Sequence, residues 1–198
     1  VEDLEAMIGG LYERFLSVRT GDAWVQESEA VRAWVRDRLV DAVVPKSFID
    51  FDQHLPVAEW AALVDGHEVE LYPCFEHGDT IQTFRAAAAK YYRDGATGLY
   101  FYNYWSFGLP YNPLGRQILT ELADEAHLVD QDKHYALMGG GPCPMSAPFE
   151  EPEPPVTQVP RRLEPKGSLF FALDIADDVK AAAARGALRD VTLRVVTD

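Results

Sequence analysis

The stretch EVELYPCFEHG, residues 68–78, gathers side chains able to do chemistry. Val69, Leu71 and Phe75 alternate with Glu70, Tyr72, Cys74 and Glu76. Successive side chains of an extended chain point to opposite faces. This period therefore puts two carboxyls, a phenol and a thiol on one side of a strand. Glycosidic hydrolysis needs two carboxyl groups, ~5–5.5 Å apart for retention of configuration and ~6.5–9.5 Å for inversion. Glu76 is the first candidate for nucleophile or base. Its plain structural alternative is a carboxylate neutralised by a nearby Arg or Lys, or a loop cap.

Two further stretches could complete a site. IDFDQH, residues 49–54, spaces Asp50, Asp52 and His54 two apart, on one face if the segment is extended. They read as the second carboxylate, as acceptors for sugar hydroxyls, or as carboxylate and imidazole ligands of a cation. They read as well as a polar loop whose Asx turns cap a helix starting at Val57. Asp50 and Asp52 join Glu76 as catalytic candidates, and no metal centre is assigned. Lys46 would anchor a carboxylate or hydroxyl, or neutralise Asp50 or Asp52. YFYNYW, residues 100–105, puts Asn103 and Trp105 on one face and Tyr102 and Tyr104 on the other. Aromatic rings stack on sugar C–H patches, and amides read hydroxyls. Lys46, His77, Asn103, Tyr104 and Trp105 are the substrate-binding candidates. Phe101 and Tyr100 read as core, Cys74 as a small buried residue, and His77 and His134 also have plain structural readings.

These stretches recur within a repeated pattern. DAVVPKSF, EVELYPCFE and TGLYFYNYW are apolar runs. Each is followed by a loop and a helical segment: VAEWAALV, TIQTFRAAAAKYYRDG and PLGRQILTELADE. Asp79 is the expected N-cap of the second helix, Gly95 its stop, and Pro113 suits the first turn of the third. Ahead of them ESEAVRAWVRDRLV carries Val31, Trp34, Val35 and Leu39 on one helical stripe, and residues 1–20 also have helical spacing. Strand, loop, helix, three times over, predicts parallel βαβ units with 40–48, 68–76 and 97–105 as neighbouring strands. Ligands of such folds bind at the carboxyl edge of the sheet, where the loops with Asp50, Glu76 and Asn103 fall.

Residues 139–166 are rich in proline and read as a linker. GSLFFALDI and DVTLRVVTD then predict strands of a β-rich unit over 167–198. Three βα units cannot close an eight-stranded barrel. The chain opens on a helix at Val1, so a truncated N-terminus is expected and the compartment stays open.

Composition narrows the partners. Lys and Arg number 18 against 32 Asp and Glu, a formal charge of −14. Such a chain repels phosphate backbones, so nucleic acid is not an expected partner. A neutral sugar or small polar ligand meets no such barrier. No apolar run reaches the ~20 residues of a membrane span. Cys74 and Cys143 form neither a disulfide framework nor a zinc spacing. No cofactor is implied, and oligomeric state is left open.

The segments VDAVVPKSF, VAEWAALVDGHEVELYPCFE and FRAAAAKYYRDGATGLYFYNYW, followed by DKHYAL, resemble the last three units of the family-10-like (glycosyl-hydrolase-like) TIM-barrel proteins. The resemblance covers roughly residues 30 to 138. It implies an α/β fold: the C-terminal part of a TIM barrel over 1–138, followed by the linker and part of a β-rich domain. It also implies strands six to eight of the barrel, with Glu76 at the end of the seventh, where many retaining glycosidases carry their nucleophile. The function implied is glycoside hydrolysis. The alternatives are a non-catalytic carbohydrate-binding protein on the same scaffold and a purely structural domain.

Overall fold

In the computed structural model, three runs of chain lie side by side as parallel strands. Residues 30–46, 53, 55–75, 80–102, 113–137 and 162–195 are described. β1 is Ala42–Val43, and the run over 70–75 gives β2 (Glu70–Leu71) and β3 (Cys74–Phe75). β4 is Tyr100–Phe101. β1 pairs in parallel with β2, Val43 opposite Leu71. β3 pairs in parallel with β4, Cys74 opposite Tyr100 and Phe75 opposite Phe101.

Backbone bonds extend both ladders. Cys74 N–H donates to the Pro45 carbonyl at 2.9 Å, and Tyr102 N–H donates to the Phe75 carbonyl at 2.9 Å. The spatial order is thus 41–45, 70–75, 97–102, the order and sense the repeated pattern predicts. Pro73 divides the middle run because it has no N–H to offer β4, although its carbonyl still accepts from Tyr100 N–H at 3.1 Å. Thr97 closes the start of that ladder: its hydroxyl accepts from Leu71 N–H at 3.1 Å, and its own N–H donates to the Leu71 carbonyl at 2.8 Å. Among the described residues the strands form two two-stranded parallel sheets, β1–β2 and β3–β4, that meet along the middle run 70–75.

Alternation assigns the faces. Val43, Leu71 and Phe75 are buried together under the helices. α1 covers residues 30–36 of the described chain, and α2 is Val57–Val64. α2 buries Val57, Trp60, Leu63 and Val64, the stripe a 3.6-residue period requires. No side chain caps it, since Pro56 holds the N-cap position. α3, Ile81–Arg93, buries Ala86 to Ala89 and lays Phe84 and Tyr91 on the sheet. The Phe75 ring lies 5.6 Å from Phe84, 5.1 Å from Tyr91 and 5.3 Å from Phe101, centroid to centroid. α4, Pro113–Glu121, and the short α5, Glu125–Leu128, pack on α3 through Ile118, Leu122 and Leu128. The third helical segment is therefore two helices, broken before the N-cap Asp124, whose carboxylate accepts from Ala126 N–H at 2.9 Å.

The helix ends refine the sequence reading. α3 is capped by Thr80, one residue beyond the expected Asp79, because Thr80 and Thr83 satisfy each other's backbone N–H groups at 3.3 Å. Its far end is a Schellman turn: Gly95 N–H donates to Tyr92 O at 3.0 Å and Ala96 N–H to Tyr91 O at 2.9 Å. Gly95 has φ +104°, and a Cβ there would sit 2.7 Å from the Ala61 Cβ on α2. Gly95→Ala is therefore expected to cost roughly 1–3 kcal/mol, combining left-handed strain with a clash between two helices. An unchanged thermal midpoint would contradict this. α1 ends in the same motif, with Arg38 at φ +56° in the glycine position. This turn ends the stripe before Leu39, which is 66% exposed rather than part of the expected apolar face. Arg38→Gly should raise stability by up to about 1 kcal/mol, read as a higher urea midpoint with an unchanged slope.

Of the C-terminal part, α6 spans Val179–Ala184 and is capped by Asp178, which accepts from Ala181 N–H at 2.9 Å. Residues 168–176 and 187–195 are in neither helix nor strand, and Phe170 is 93% exposed. The expected helix over 1–20 and, of the linker over 139–166, residues 139–161 lie outside the described residues.

Candidate functional site

The face of the sheet turned away from the helices carries Lys46 beyond β1, Glu70, Tyr72 and Cys74 on the middle run, and Tyr100 and Tyr102 on the last. Their parity is opposite to that of Val43, Leu71, Phe75 and Phe101. Parallel sheets are ordinarily covered on both faces. Here Tyr100 is 47% exposed. This corrects its reading as core: it sits opposite Cys74, on the other side of the sheet from the aromatic cluster around Phe75. Phe101, expected in the core, packs in that cluster.

At the carboxyl end of this face, the Lys46 ammonium lies over the Tyr102 ring, 3.8 Å from its centroid. The two residues belong to the outer runs, so the lysine reaches across the middle run. The thiol of Cys74 is buried and contacts the Phe75 carbonyl at 3.6 Å, so it fills space in the sheet. The attraction is that of a cation for the negative face of an aromatic ring. It holds a positive charge and a phenol side by side at the edge where ligands of parallel α/β folds bind.

Nearer the amino end, the Tyr72 hydroxyl donates to the Glu70 carboxylate. That bond, more than any burial, moves the Tyr72 phenol above its ordinary range. Gly98 makes room for the Tyr72 ring, since a Cβ at 98 would meet its Cε1 at 2.8 Å. The face predicted from EVELYPCFEHG thus carries a phenol–carboxylate pair, a buried thiol and two further tyrosines.

Of the sequence candidates, Lys46 is described and lies on this face. Asp50, Asp52, His54, Glu76, His77, Asn103, Tyr104 and Trp105 lie outside the described residues. Tyr102, on the same face, is not among those candidates; its even position next to Phe101 is the signal that marks it.

Gln53, inside IDFDQH, is not among the sequence candidates. It is 1% exposed. Its Nε2 donates to the His134 carbonyl at 3.0 Å, and its Oε1 accepts from Ala136 N–H at 2.9 Å. No sequence signal marks it, because its partners lie 30 to 83 residues away.

α3 carries two buried charges, one of which reaches this glutamine. Lys90, on α3, donates to the Gln53 carbonyl at 2.6 Å. Arg85 pairs with Glu121 at 2.7 Å. Buried charges require such partners, since desolvation without them costs several kcal/mol. Among the described residues no group of three His, Cys, Asp or Glu is placed to hold a metal ion. No helix among them is long and apolar enough to cross a membrane. No family model matches this sequence, and no curated protein matches it.

Proposed function

We propose that the chain supplies the last three βα units of a (β/α)8 barrel that hydrolyses a glycosidic bond at its mouth. One observation carries the reading. Three parallel strands run in chain order with their helices on one face, and the other face is polar and aromatic up to its carboxyl end. In a barrel that second face is the interior, and the carboxyl end is where catalysis sits. Continuing the alternation one residue past Phe75 gives Glu76 the face of Tyr72 and Cys74, next to the Lys46–Tyr102 pair. The same alternation gives Tyr104 to that face and Asn103 and Trp105 to the opposite one. The neighbour proposed for Glu76 on the last strand is therefore Tyr102. Asp50 and Asp52 remain proposed carboxylates of the first loop, and residues 167–198 remain a proposed part of a β-rich unit.

The alternative is sugar binding without chemistry, which the tyrosines and Lys46 would serve and a carboxylate pair would not be needed for. The test is a screen of the full-length protein for turnover and binding on a panel of neutral glycans. Turnover of any member supports hydrolysis. Binding without turnover assigns the alternative. Absence of both leaves the structural-domain reading.

A further inference from the structure

Two aspartates of the C-terminal segment reach the same buried glutamine by separate routes. Asp174 accepts both prongs of the Arg93 guanidinium, at 2.8 and 2.6 Å. It also lies 3.4 Å from the ammonium of Lys90. Lys90 hands the connection on, donating to the Gln53 carbonyl at 2.6 Å. Three residues along, Asp177 accepts from Lys133 at 2.7 Å and from the Tyr135 hydroxyl at 2.9 Å. Lys133 and Tyr135 belong to the strip 131–137. That same strip holds the Gln53 side chain between the His134 carbonyl and the Ala136 N–H. Arg185 completes the attachment with Asp130 at 2.7 Å.

The chemistry makes these links interdependent. The side chains of Lys90 and Lys133 are 6% and 3% exposed. Each is a buried cation whose only carboxylate comes from the C-terminal segment among the described residues. Without that carboxylate the cation is left uncompensated, and it must turn outward to water. That movement takes a partner from Gln53 or from the strip that holds it. Gln53, in turn, is a buried amide that is tolerated only while its hydrogen bonds are made.

We propose that the segment from Asp174 to Arg185 is a clasp that sets the position of Gln53 and of the chain entering α2 behind it. Displacing the clasp, by a partner or by movement of the C-terminal segment, loosens Gln53 and that entry to α2. By linkage, a ligand that fixes Gln53 tightens the clasp. The coupling holds whatever the protein binds, so its test is independent of the carbohydrate reading.

Hydrogen exchange on the full chain, read by mass spectrometry, tests it. In the double variant Asp174→Asn, Asp177→Asn, peptides over 174–185 and over 53–59 should both exchange roughly tenfold faster or more. Peptides over 70–75 and 81–89 should keep wild-type protection. Faster exchange at 174–185 with wild-type rates at 53–59 would overturn the coupling. So would uniform loosening that includes 70–75, which would make the segment a general stabiliser. Lys90→Met guards against a variant that fails to fold, because it removes the relay without leaving a buried charge. It should speed exchange at 53–59 and leave the Asp177 attachment protected. Unchanged rates at 53–59 in that variant would also count against the proposal.

Discussion

Phe75→Ala is expected to remove about 3–5 kcal/mol of folding stability, a large part of the 5–15 kcal/mol typical of a domain. The Phe75 ring is 2% exposed and packs on rings from three other places in the chain: Phe84 and Tyr91 on α3, and Phe101 on β4. Its deletion leaves a cavity between helix and sheet that the neighbouring buried alanines are too small to fill. The loss also removes the ring-to-ring attraction, worth ~0.5–1.5 kcal/mol per pair beyond burial. Phe75→Leu, which keeps most of the volume, should cost much less. Urea unfolding of both variants checks this. A loss under ~1 kcal/mol for the alanine variant would mean that the strand–helix layer is not the seat of the core.

Glu76→Gln should lower turnover about 100-fold or more on any glycan the full-length protein hydrolyses, with little change in thermal midpoint. Cys74 lies opposite Tyr100 and Phe75 opposite Phe101, with Phe75 and Phe101 committed to the helix layer. By the same alternation Glu76 is proposed to share the face of Lys46 and Tyr102. A carboxylate there would lie among groups suited to hold a sugar. Glutamine keeps its shape and removes its charge and basicity, so a catalytic role and a packing role separate cleanly. Full turnover in the variant removes Glu76 from the mechanism. A variant that mainly unfolds assigns it to structure. For a protein that binds glycans without cleaving them, the same substitution should change affinity far less than Tyr102→Ala.

Local physics made much of the architecture legible in the sequence. The period of two in EVELYPCFE separated Leu71 and Phe75 from Tyr72 and Cys74, because side chains on a strand have only two directions to take. Val57 starts α2, Pro113 starts α4 and Gly95 stops α3, as the sequence predicts. Each follows from apolar spacing or from a backbone angle that one residue type adopts cheaply. The strand order followed from the repeat of strand and helix, since parallel neighbours require a crossover of that length.

Other features depended on residues far apart in the chain, and only the tertiary structure decided them. Thr80 rather than Asp79 caps α3 because Thr83 completes the reciprocal pair. Leu39 leaves its stripe because Arg38 turns the chain one residue earlier. Tyr100, apolar by its neighbours, lies open because the register sets it opposite Cys74 rather than with Phe75. Gln53 is the clearest case: its amide and carbonyl are held by residues 37, 81 and 83 positions away. Sequence determines which groups a short segment can turn to one side. The distant partners that satisfy a buried polar group exist only once the chain has folded, because desolvation makes such groups costly until those partners arrive.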